Sequence, residues 1–554
     1  MKTRTIPMLM VAAAFVVPAA AFACTNLIAG KKATADGSVM VTYAADSHTL
    51  YGALYHQPAA VYPKGSMRKV VEWDTGKVLG EIPEVERTYN VVGNMNEHQL
   101  VIAESTWGGR EELQDTTGNS IIDYGSLIYI TLQRAKTARE AIDIMADLVD
   151  KYGYASSGES FSIADKDEVW VMELIGKGAE KGAVWIAVRI PDNAISGHAN
   201  EPRIRQVDMK DKKNVRYSKD VVSFARKRGY FNGKDADFSF ADAYADHPAD
   251  TRRGCDGRVW SYFRRFNPDT EKYHAWCSGE NNEPMPLYVI PDRKVTLQDM
   301  QERMRDHFED TPFNMTSDIG AGPNNVPYRW RPMTFKVDGK EYLNERAIAT
   351  QQTGWHFVSQ TRDYLPDPVG GVLWFGTDDT NTSVYMPFYC SMTVVPHELS
   401  VDNGDLLTYS DDSNFWMTNW VANQAYNRYD LMIPEIRKVQ GELETEFISG
   451  RQGTEAELVA LYESGDIDGL RDKVNAEGAY IAKKSTDAYR DLGRYLLVRY
   501  LDGNRKKLNE DGSFRRSETG MPVSPDFPGY NQEYYENIVR TTGDHFLVPQ
   551  PEKK

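Results

Sequence analysis

The chain has 554 residues and a formal net charge of −16. Hydrophobic residues make up 41% of it, charged residues 26% and aromatic residues 11%, a globular composition that excludes a collagen-like, coiled-coil or disordered chain. Acidic residues outnumber basic residues by 80 to 64, and no long run of Lys and Arg offsets them. This charge argues against nucleic acid as a partner, because phosphate binding needs a concentrated basic surface.

The first 23 residues differ in character from the rest of the chain. Two basic residues precede an apolar run at residues 8–17, and small residues stand at Ala21 and Ala23. This pattern is typical of a secretory signal peptide that is cleaved before Cys24. The apolar run is about half the roughly 20 residues that a spanning helix needs, and we predict no transmembrane segment. We therefore expect an exported protein, periplasmic or extracellular, with 62 basic and 80 acidic residues after cleavage.

Cleavage after Ala23 would place a thiol and a free α-amine on one residue, Cys24. A thiol with an ordinary pKa near 8.5 is only a few per cent thiolate at pH 7, so a nucleophilic cysteine needs a base. An α-amine with a pKa of about 7.7–8.0 can accept that proton. The sequence therefore predicts an N-terminal nucleophile that export itself activates.

Two other interpretations of Cys24 stay open. One is a lipid-anchored binding protein with an acylated Cys24, although that signal usually has an aliphatic residue where this chain has Ala21, and Phe22 follows it. The other is a half-cystine or an inert thiol.

Short apolar runs separated by Gly- and Asp-containing turns predict strands along the first 200 residues. They cover residues 25–29, 38–43, 89–92, 100–104, 160–164, 169–174, 183–188 and 194–196. Helical spacing over residues 124–152, with a capping box that begins its second half at Ala138, predicts helices between them. A similar box at Thr296 predicts a helix to about Phe308. We expect an α+β fold in which helices cover two antiparallel sheets as a four-layer sandwich.

The character changes to helical beyond about Asn414, with predicted helices at residues 421–446, 455–464 and 466–501. We divide the chain into a signal peptide (1–23), a catalytic core (24–413), a helical lobe packed on the core (414–501) and an extended tail (502–554).

Four cysteines occur in the sequence. They are Cys24, Cys255, Cys277 and Cys390. Cys255 and Cys277 form the most plausible disulfide in an oxidising compartment, although spacing alone does not fix the pairing. The chain has no CxxC or HExxH motif, so we expect no metal and no cofactor.

Several segments, taken together and in order, resemble one family. They are residues 24–33 (CTNLIAGKKA), 36–38 (DGS), 94–97 (NMNE), 103–106 (AEST), 136–141 (KTAREA), 198–204 (HANEPRI), 258–260 (RVW), 374–376 (WFG) and 383–389 (SVYMPFY). The chain is similar to the cysteine dipeptidases of the N-terminal nucleophile class, the dipeptidase A group related to choloylglycine hydrolases and penicillin V acylases. The likeness runs over most of residues 24 to about 430.

The resemblance implies an N-terminal nucleophile αββα sandwich and hydrolysis of dipeptides through a thioester on Cys24. It also implies that Asp46 orients the α-amine, that the Asn200 side chain donates to the oxyanion, and that the Thr106 N–H contributes a second donor. Arg258 matches, loosely, a family arginine near the nucleophile that stabilises thiolate or binds a substrate carboxylate.

Three positions concern the charge around the thiol and the substrate. Tyr43 stands where the family usually has Arg, so either another cation compensates or the thiol pKa is less depressed. A dipeptide also needs a carboxylate for its ammonium group, for which Glu104 and Glu173 are candidates. His198 is expected to be structural.

The alternative enzyme is an N-acyl amide hydrolase with the same chemistry and an apolar acyl slot. Dipeptides are the expected substrates, and a homo-oligomeric assembly stays open.

Overall fold

The computed structural model describes residues 24–550, and the predicted signal peptide lies outside the described residues. Its strands are, in chain order, β1 (Asn26–Ala29), β2 (Val39–Asp46), β3 (His56–Gln57), β4 (Ala60–Val61), β5 (Met67–Val71), β6 (Val78–Pro83), β7 (Arg87–Thr88), β8 (Val91–Val92), β9 (Met95–Asn96), β10 (Val101–Trp107), β11 (Gly158–Ala164), β12 (Val169–Lys177), β13 (Glu180–Ile190), β14 (Ile195–His198), β15 (Val215–Tyr217), β16 (Tyr288–Val289), β17 (Thr334–Val337), β18 (Lys340–Leu343), β19 (Thr353–Thr361), β20 (Val372–Thr377) and β21 (Met386–Tyr389).

The α-helices are α1 (Tyr124–Leu132), α2 (Ala138–Tyr152), α3 (Val221–Arg228), α4 (Phe240–Tyr244), α5 (Ala249–Gly254), α6 (Asp256–Arg264), α7 (His274–Cys277), α8 (Leu297–Met304), α9 (Asp367–Gly370), α10 (Asn414–Ala425), α11 (Tyr429–Ser464), α12 (Ile467–Arg499) and α13 (Gln532–Thr542). Short 3-10 helices cover Glu111–Leu113, Asp235–Asp237, Pro268–Tyr273, Ile319–Asn324, His397–Leu399, Leu501–Gly503 and Gly543–Phe546.

Two large antiparallel sheets form the centre of the molecule. The first has seven strands in the order β16-β14-β1-β2-β19-β20-β21, and the second has eight in the order β15-β13-β12-β11-β10-β9-β8-β3. In the first sheet β1 lies between β14 and β2, with Ile28 opposite both Ser196 and Val41. Cys24 lies two residues before β1 and is therefore held close to the start of a central strand.

Both faces of the second sheet are buried, and its side chains alternate between two cores. On β12, Val169 and Val171 face the first sheet, whereas Trp170 and Met172 face the opposite core. The period of two is the signature of a strand with two buried faces. The α1–α2 pair covers the outer core, while the first sheet is covered by α6, α8, α10, α11 and α12. The predicted α+β four-layer sandwich with C-terminal helices is confirmed.

Side-chain caps fix where the helices near the site begin. Asp123 accepts a hydrogen bond from the Ser126 N–H and begins α1. Thr137 and Thr296 cap α2 and α8 in the same way, as the sequence predicts.

The C-terminal helices differ in detail from the prediction. The sequence predicts separate helices at residues 421–446 and 455–464, with a break at 447–454. That break is wrong, because α11 runs unbroken to Ser464 and packs along α12. No proline interrupts the interval. The tail beyond residue 502 is not extended throughout, since Asn531 caps α13 within it. None of the helices in the described part of the chain is long and apolar enough to cross a membrane. The domain boundaries themselves stay a prediction.

Candidate active site

Cys24 lies buried where β1 begins, next to two polar side chains. Its thiol donates a hydrogen bond of 3.3 Å to Oε1 of Glu104 and lies 3.7 Å from the Tyr43 hydroxyl. The backbone of the next residue, Thr25, bonds to Ala44 on β2 in both directions. Pairing with β2 therefore fixes the thiol beside Tyr43, which lies one residue before Ala44.

The surroundings of the thiol favour its protonated form. Burial raises the pKa of Cys24 well above its usual range, and the charges of Glu104 and Asp46 raise it further. The backbone N–H of Asp46 and the Tyr43 hydroxyl lower the pKa by hydrogen bonding, but they do not reverse its direction. A nucleophilic Cys24 thus needs a base that removes its proton.

Tyr43 occupies the place of the family arginine and supplies no positive charge. Its hydroxyl donates a short hydrogen bond to Oε1 of Glu104, and its ring packs edge-on against Trp355 at 4.9 Å. Burial raises the pKa of Tyr43, so the phenol is neutral. Of the two expectations for this position, the structure fits the one in which the thiol pKa is not depressed.

Glu104 also faces a second buried carboxyl group, that of Glu159 on the neighbouring strand β11. Glu104 and Thr106 point to the same face of β10, and Glu159 lies opposite Thr106. One oxygen of each carboxyl group, Oε2 of Glu104 and Oε1 of Glu159, is buried without a hydrogen-bond partner in the described residues.

Burial and the charge of Glu104 raise the pKa of Glu159 well above its usual range. Tyr154 and Thr106 both donate to its other oxygen, Oε2. These hydrogen bonds lower the pKa but do not reverse its direction, so Glu159 favours its neutral form.

Asp46 ends β2 and is buried beside Arg346 and Thr353. The Arg346 guanidinium lies 2.5 Å from Oδ2, and the Thr353 hydroxyl donates to Oδ1 at 2.6 Å. Burial nevertheless raises the pKa of Asp46 to about 6, against the lowering effects of Arg346, Thr353 and Arg258. The charge of Asp46 therefore changes within the range in which proteins are assayed.

Arg258 on α6 connects the start of the chain to the Asn200 loop. Its Nη1 donates to the Cys24 carbonyl at 2.9 Å and to the Thr25 hydroxyl at 2.8 Å. Its Nη2 donates to the carbonyl of Ala199 at 3.1 Å and to Oδ1 of Asn200 at 2.9 Å. Burial lowers the pKa of Arg258 to about 10. The guanidinium thus donates its hydrogen bonds to oxygen atoms of the protein. In this way Arg258 positions Cys24 and Asn200.

The Asn200 side chain has a fixed orientation near the end of β10. Its Nδ2 donates to the Thr106 carbonyl at 2.6 Å, and its backbone has a φ of 59°. This left-handed conformation suits Asn better than most residues with a Cβ. Neither Asn200 nor Thr106 lines the cavity at Cys24, and their oxyanion roles stay predictions.

Other candidates lie away from the thiol. Glu173 is buried and accepts hydrogen bonds from the backbone N–H groups of Arg203 and Ile204, so it does not face the cavity. His198 lies between two serine hydroxyls, and burial lowers its pKa to about 3. That neutral imidazole has no contact with Cys24.

The structure does not contain the disulfide expected between Cys255 and Cys277. All four cysteines are free thiols, and Cys255 lies beside the Arg258 guanidinium, which lowers its pKa against the raising effect of burial. The pairing in the oxidised protein stays a prediction.

A cavity of about 260 Å³ opens onto Cys24. Three carboxyl groups line it, those of Asp46, Asp74 and Glu104, and no Lys or Arg lines it within the described chain. Its aromatic walls are Tyr43, Tyr51, Tyr55, Trp73, Tyr124 and Trp355. Such a site favours a small substrate with a positive charge.

Sequence analysis missed Asp74 and the rings around it. Asp74 lies in the turn of the β5–β6 hairpin, and Tyr124 begins α1. Neither position belongs to a motif, and only the folded hairpin brings the turn to Cys24. No group of three or more His, Cys, Asp or Glu that could hold a metal occurs in residues 24–550.

Comparison with known proteins identifies the family. The model of Peptidase family C69 matches residues 23–442. A "Probable dipeptidase" of Salmonella dublin is 26% identical over 387 residues, which are 67% of this chain and 81% of that protein. "Dipeptidase A" of Lactobacillus helveticus is 22% identical over 444 residues, 76% of this chain and 84% of that protein.

Among solved structures, penicillin V acylase from Agrobacterium tumefaciens matches with 11% identity, over 69% of this chain and 87% of that chain, with a TM-score of 0.26. That score is too low to relate the two folds. The family match covers most of the chain and agrees with the predicted resemblance. The chain belongs to Peptidase family C69 and is a peptide-hydrolysing enzyme.

Proposed function

We propose that the protein is an exported cysteine-type dipeptidase whose nucleophile is Cys24 and whose base is the α-amine of the same residue. Its relatives of the same family include proteins named dipeptidases. The observation that carries the proposal is the position of Cys24, whose thiol faces an acidic cavity of about 260 Å³ and lies at the predicted signal-peptide cleavage site.

The reaction follows from these groups. The α-amine accepts the thiol proton while Sγ attacks the carbonyl carbon of the first substrate residue. The tetrahedral intermediate collapses to an aminoacyl thioester, and the second amino acid leaves with the proton from the α-amine. Water then attacks the thioester, gives a proton to the α-amine, and releases the first amino acid and the thiol. Asn200, with the Thr106 N–H, is the proposed oxyanion donor.

The raised pKa of Cys24 is the reason why a base is needed. An α-amine provides one with a pKa near neutrality, whereas the buried His198 has no contact with the thiol. Asp46 is the group proposed to orient that amine. Its charge and its backbone N–H both act on the Cys24 thiol, so it lies close to this residue.

The size and charge of the cavity support a short substrate with a free amino group. Pockets for drug-sized ligands enclose about 300–1,000 Å³, and this cavity lies just below that range. Its carboxyl groups favour an ammonium group, whereas an N-acyl amide would place a neutral chain against them. The aromatic walls are the feature that an acylase would use, so N-acyl amides remain the second candidate substrates.

Burial of the thiol argues against a lipid anchor. Sγ is enclosed by Tyr43 and Glu104, and a lipid chain on it would have to fill a cavity lined by three carboxyl groups. A diacylated cysteine needs an exposed thiol from which the chains can reach a membrane.

The test uses the full-length gene, so that the cell itself removes the leader. We expect the protein outside the cytoplasm, with Cys24 as its first residue by mass spectrometry, and hydrolysis of unmodified dipeptides but not of N-acetylated ones. Cys24→Ser should lower kcat at least about 10³-fold without loss of folding. Cys390→Ser is the matched control, since that buried thiol bonds to the Asp367 carbonyl far from the cavity.

Retained turnover in Cys24→Ser would refute the nucleophile. Faster hydrolysis of acetylated than of free dipeptides would favour the N-acyl amide hydrolase. A lipid mass on Cys24 would favour the binding protein.

A further inference from the structure

The cavity at Cys24 has three carboxyl groups, and they differ in what they can still bind. If the substrate is a peptide with a free amino terminus, as proposed above, its ammonium group needs an acceptor with an unused oxygen. Asp46 is already committed, because the Arg346 guanidinium and the Thr353 hydroxyl bond to its two oxygens and the Cys24 α-amine is its proposed further partner.

Glu104 has one unpaired oxygen, but that oxygen is enclosed by the protein. Its Oε1 accepts from the Cys24 thiol and the Tyr43 hydroxyl, and its Oε2 is buried without a hydrogen-bond partner in the described residues. An ammonium group at Oε1 would therefore displace the nucleophile from its hydrogen bond, and a ligand does not reach Oε2. The sequence-based candidate for ammonium binding is thus poorly placed for that role.

Asp74 differs from both of these carboxyl groups. The Tyr124 hydroxyl donates to its Oδ1 at 2.8 Å, and Oδ2 has no hydrogen-bond partner among residues 24–550. The side chain is exposed at the mouth of the cavity, where a ligand can reach it.

The position of Asp74 is fixed by its neighbour in the β5–β6 turn. The Trp73 N–H donates to Oδ2 of Asp123 at 2.9 Å, and the indole stacks on Tyr129 at 4.9 Å. Trp73 also packs so closely on Gly125 that a Cβ there would lie 2.4 Å from the Trp73 Cβ. The loop that carries Asp74 is therefore anchored to α1, and the carboxylate is preorganised.

Aromatic rings surround the same place. Trp73, Tyr124 and Tyr55 line the cavity, and Tyr55 packs edge-on against Trp73 at 4.8 Å. Ring faces attract cations within about 6 Å of their centres, and an ammonium group benefits from both the rings and a carboxylate. We propose that Asp74 binds the α-ammonium group of the substrate's first residue and thereby selects peptides with an unmodified amino terminus.

The test compares two substrates that differ only in that ammonium group. L-Ala-L-Ala carries it, and propionyl-L-Ala has a hydrogen atom in its place. Asp74→Asn keeps an oxygen that can accept from Tyr124, and it replaces the charged acceptor Oδ2 with a neutral NH2 donor. We expect its kcat/KM for Ala-Ala to fall about 10- to 100-fold, mainly through KM, because a charged hydrogen bond is lost. Any hydrolysis of propionyl-Ala should stay within about twofold of wild type.

Glu72→Gln is the matched control. Glu72 lies two residues away on the same hairpin and accepts a hydrogen bond from Thr75, not from a cavity group. It should change the kcat/KM for Ala-Ala less than twofold, while Asp74→Glu should recover part of the loss.

Three results would overturn the inference. They are an Asp74→Asn variant within twofold of wild type on Ala-Ala, an equal loss on both substrates, and an equal loss in Glu72→Gln. A wild-type protein that hydrolyses no dipeptide would instead refute the proposed function, and this inference with it.

Discussion

Replacement of Arg258 by Met should separate the stability of the fold from the geometry of the site. The guanidinium donates five hydrogen bonds, to the carbonyls of Gly254, Cys24 and Ala199, the hydroxyl of Thr25 and Oδ1 of Asn200. A typical hydrogen bond contributes about 1 kcal/mol net, so losing all five would cost about 5 kcal/mol.

Methionine would leave these five buried oxygen atoms without the donor that the guanidinium supplies, and an unpaired buried acceptor is itself costly. The free energy of unfolding of Arg258→Met should therefore fall by about 5 kcal/mol. The kcat should fall at least about 10²-fold, because the Cys24 carbonyl and the Asn200 amide lose the group that orients them.

The assay pairs urea unfolding, followed by tryptophan fluorescence, with dipeptide hydrolysis. Arg252→Met is the control, since Arg252 is buried against Trp276 and bonds to the Asn281 carbonyl but does not touch Cys24. That variant should lose stability and keep its kcat. A normal kcat in a folded Arg258→Met protein would refute the positioning role, and a loss of stability below about 1 kcal/mol would refute the contribution assigned to the five hydrogen bonds.

Three further predictions concern the thiol and its neighbours. A protein that keeps one residue ahead of Cys24 should have less than about 1% of the wild-type kcat, because the nitrogen of Cys24 is then an amide and not a base. Full activity in such a protein, with the extra residue verified by intact mass, would exclude the α-amine as the base. Glu159→Gln, which keeps a neutral polar side chain beside Glu104, should retain most of kcat/KM, whereas Glu159→Leu should lose about tenfold; equal losses would contradict a neutral Glu159 in the active protein. Because Asp46 with a pKa of about 6 must be charged to orient an ammonium group, kcat should rise with pH through about 6. Arg346→Gln removes a cation that lowers this pKa, so the midpoint of the kcat–pH profile should move to higher pH. An unmoved midpoint would exclude Asp46 as the group that titrates.

The parts of the molecule that depend on local sequence could be predicted. Caps at Thr137 and Thr296 begin helices where their side chains satisfy the first N–H groups. Strand β1 forms just after Cys24 because the apolar residues 27–29 are buried on both faces of the sheet. The adjacency of the leader and Cys24 is likewise a feature of the sequence alone.

The rest of the site depends on pairing between distant segments. Glu104 and Glu159 meet because β10 and β11 pair in one register, and a shift by one residue would send one of them to the opposite face. Asp74 reaches the cavity because Trp73 stacks against α1, 50 residues and more along the chain. Arg346 reaches Asp46 over 300 residues. No local pattern marks any of these residues.

A thioester trapped on Cys24 would be direct evidence for the nucleophile. The exported protein is mixed with a dipeptide, quenched with acid during turnover, digested at acid pH and analysed by mass spectrometry. We predict an amino-terminal peptide that begins at Cys24 and carries the mass of the substrate's first residue as a thioester, which hydroxylamine removes. A protein that hydrolyses dipeptides while this peptide stays unmodified, or begins before Cys24, would contradict this prediction.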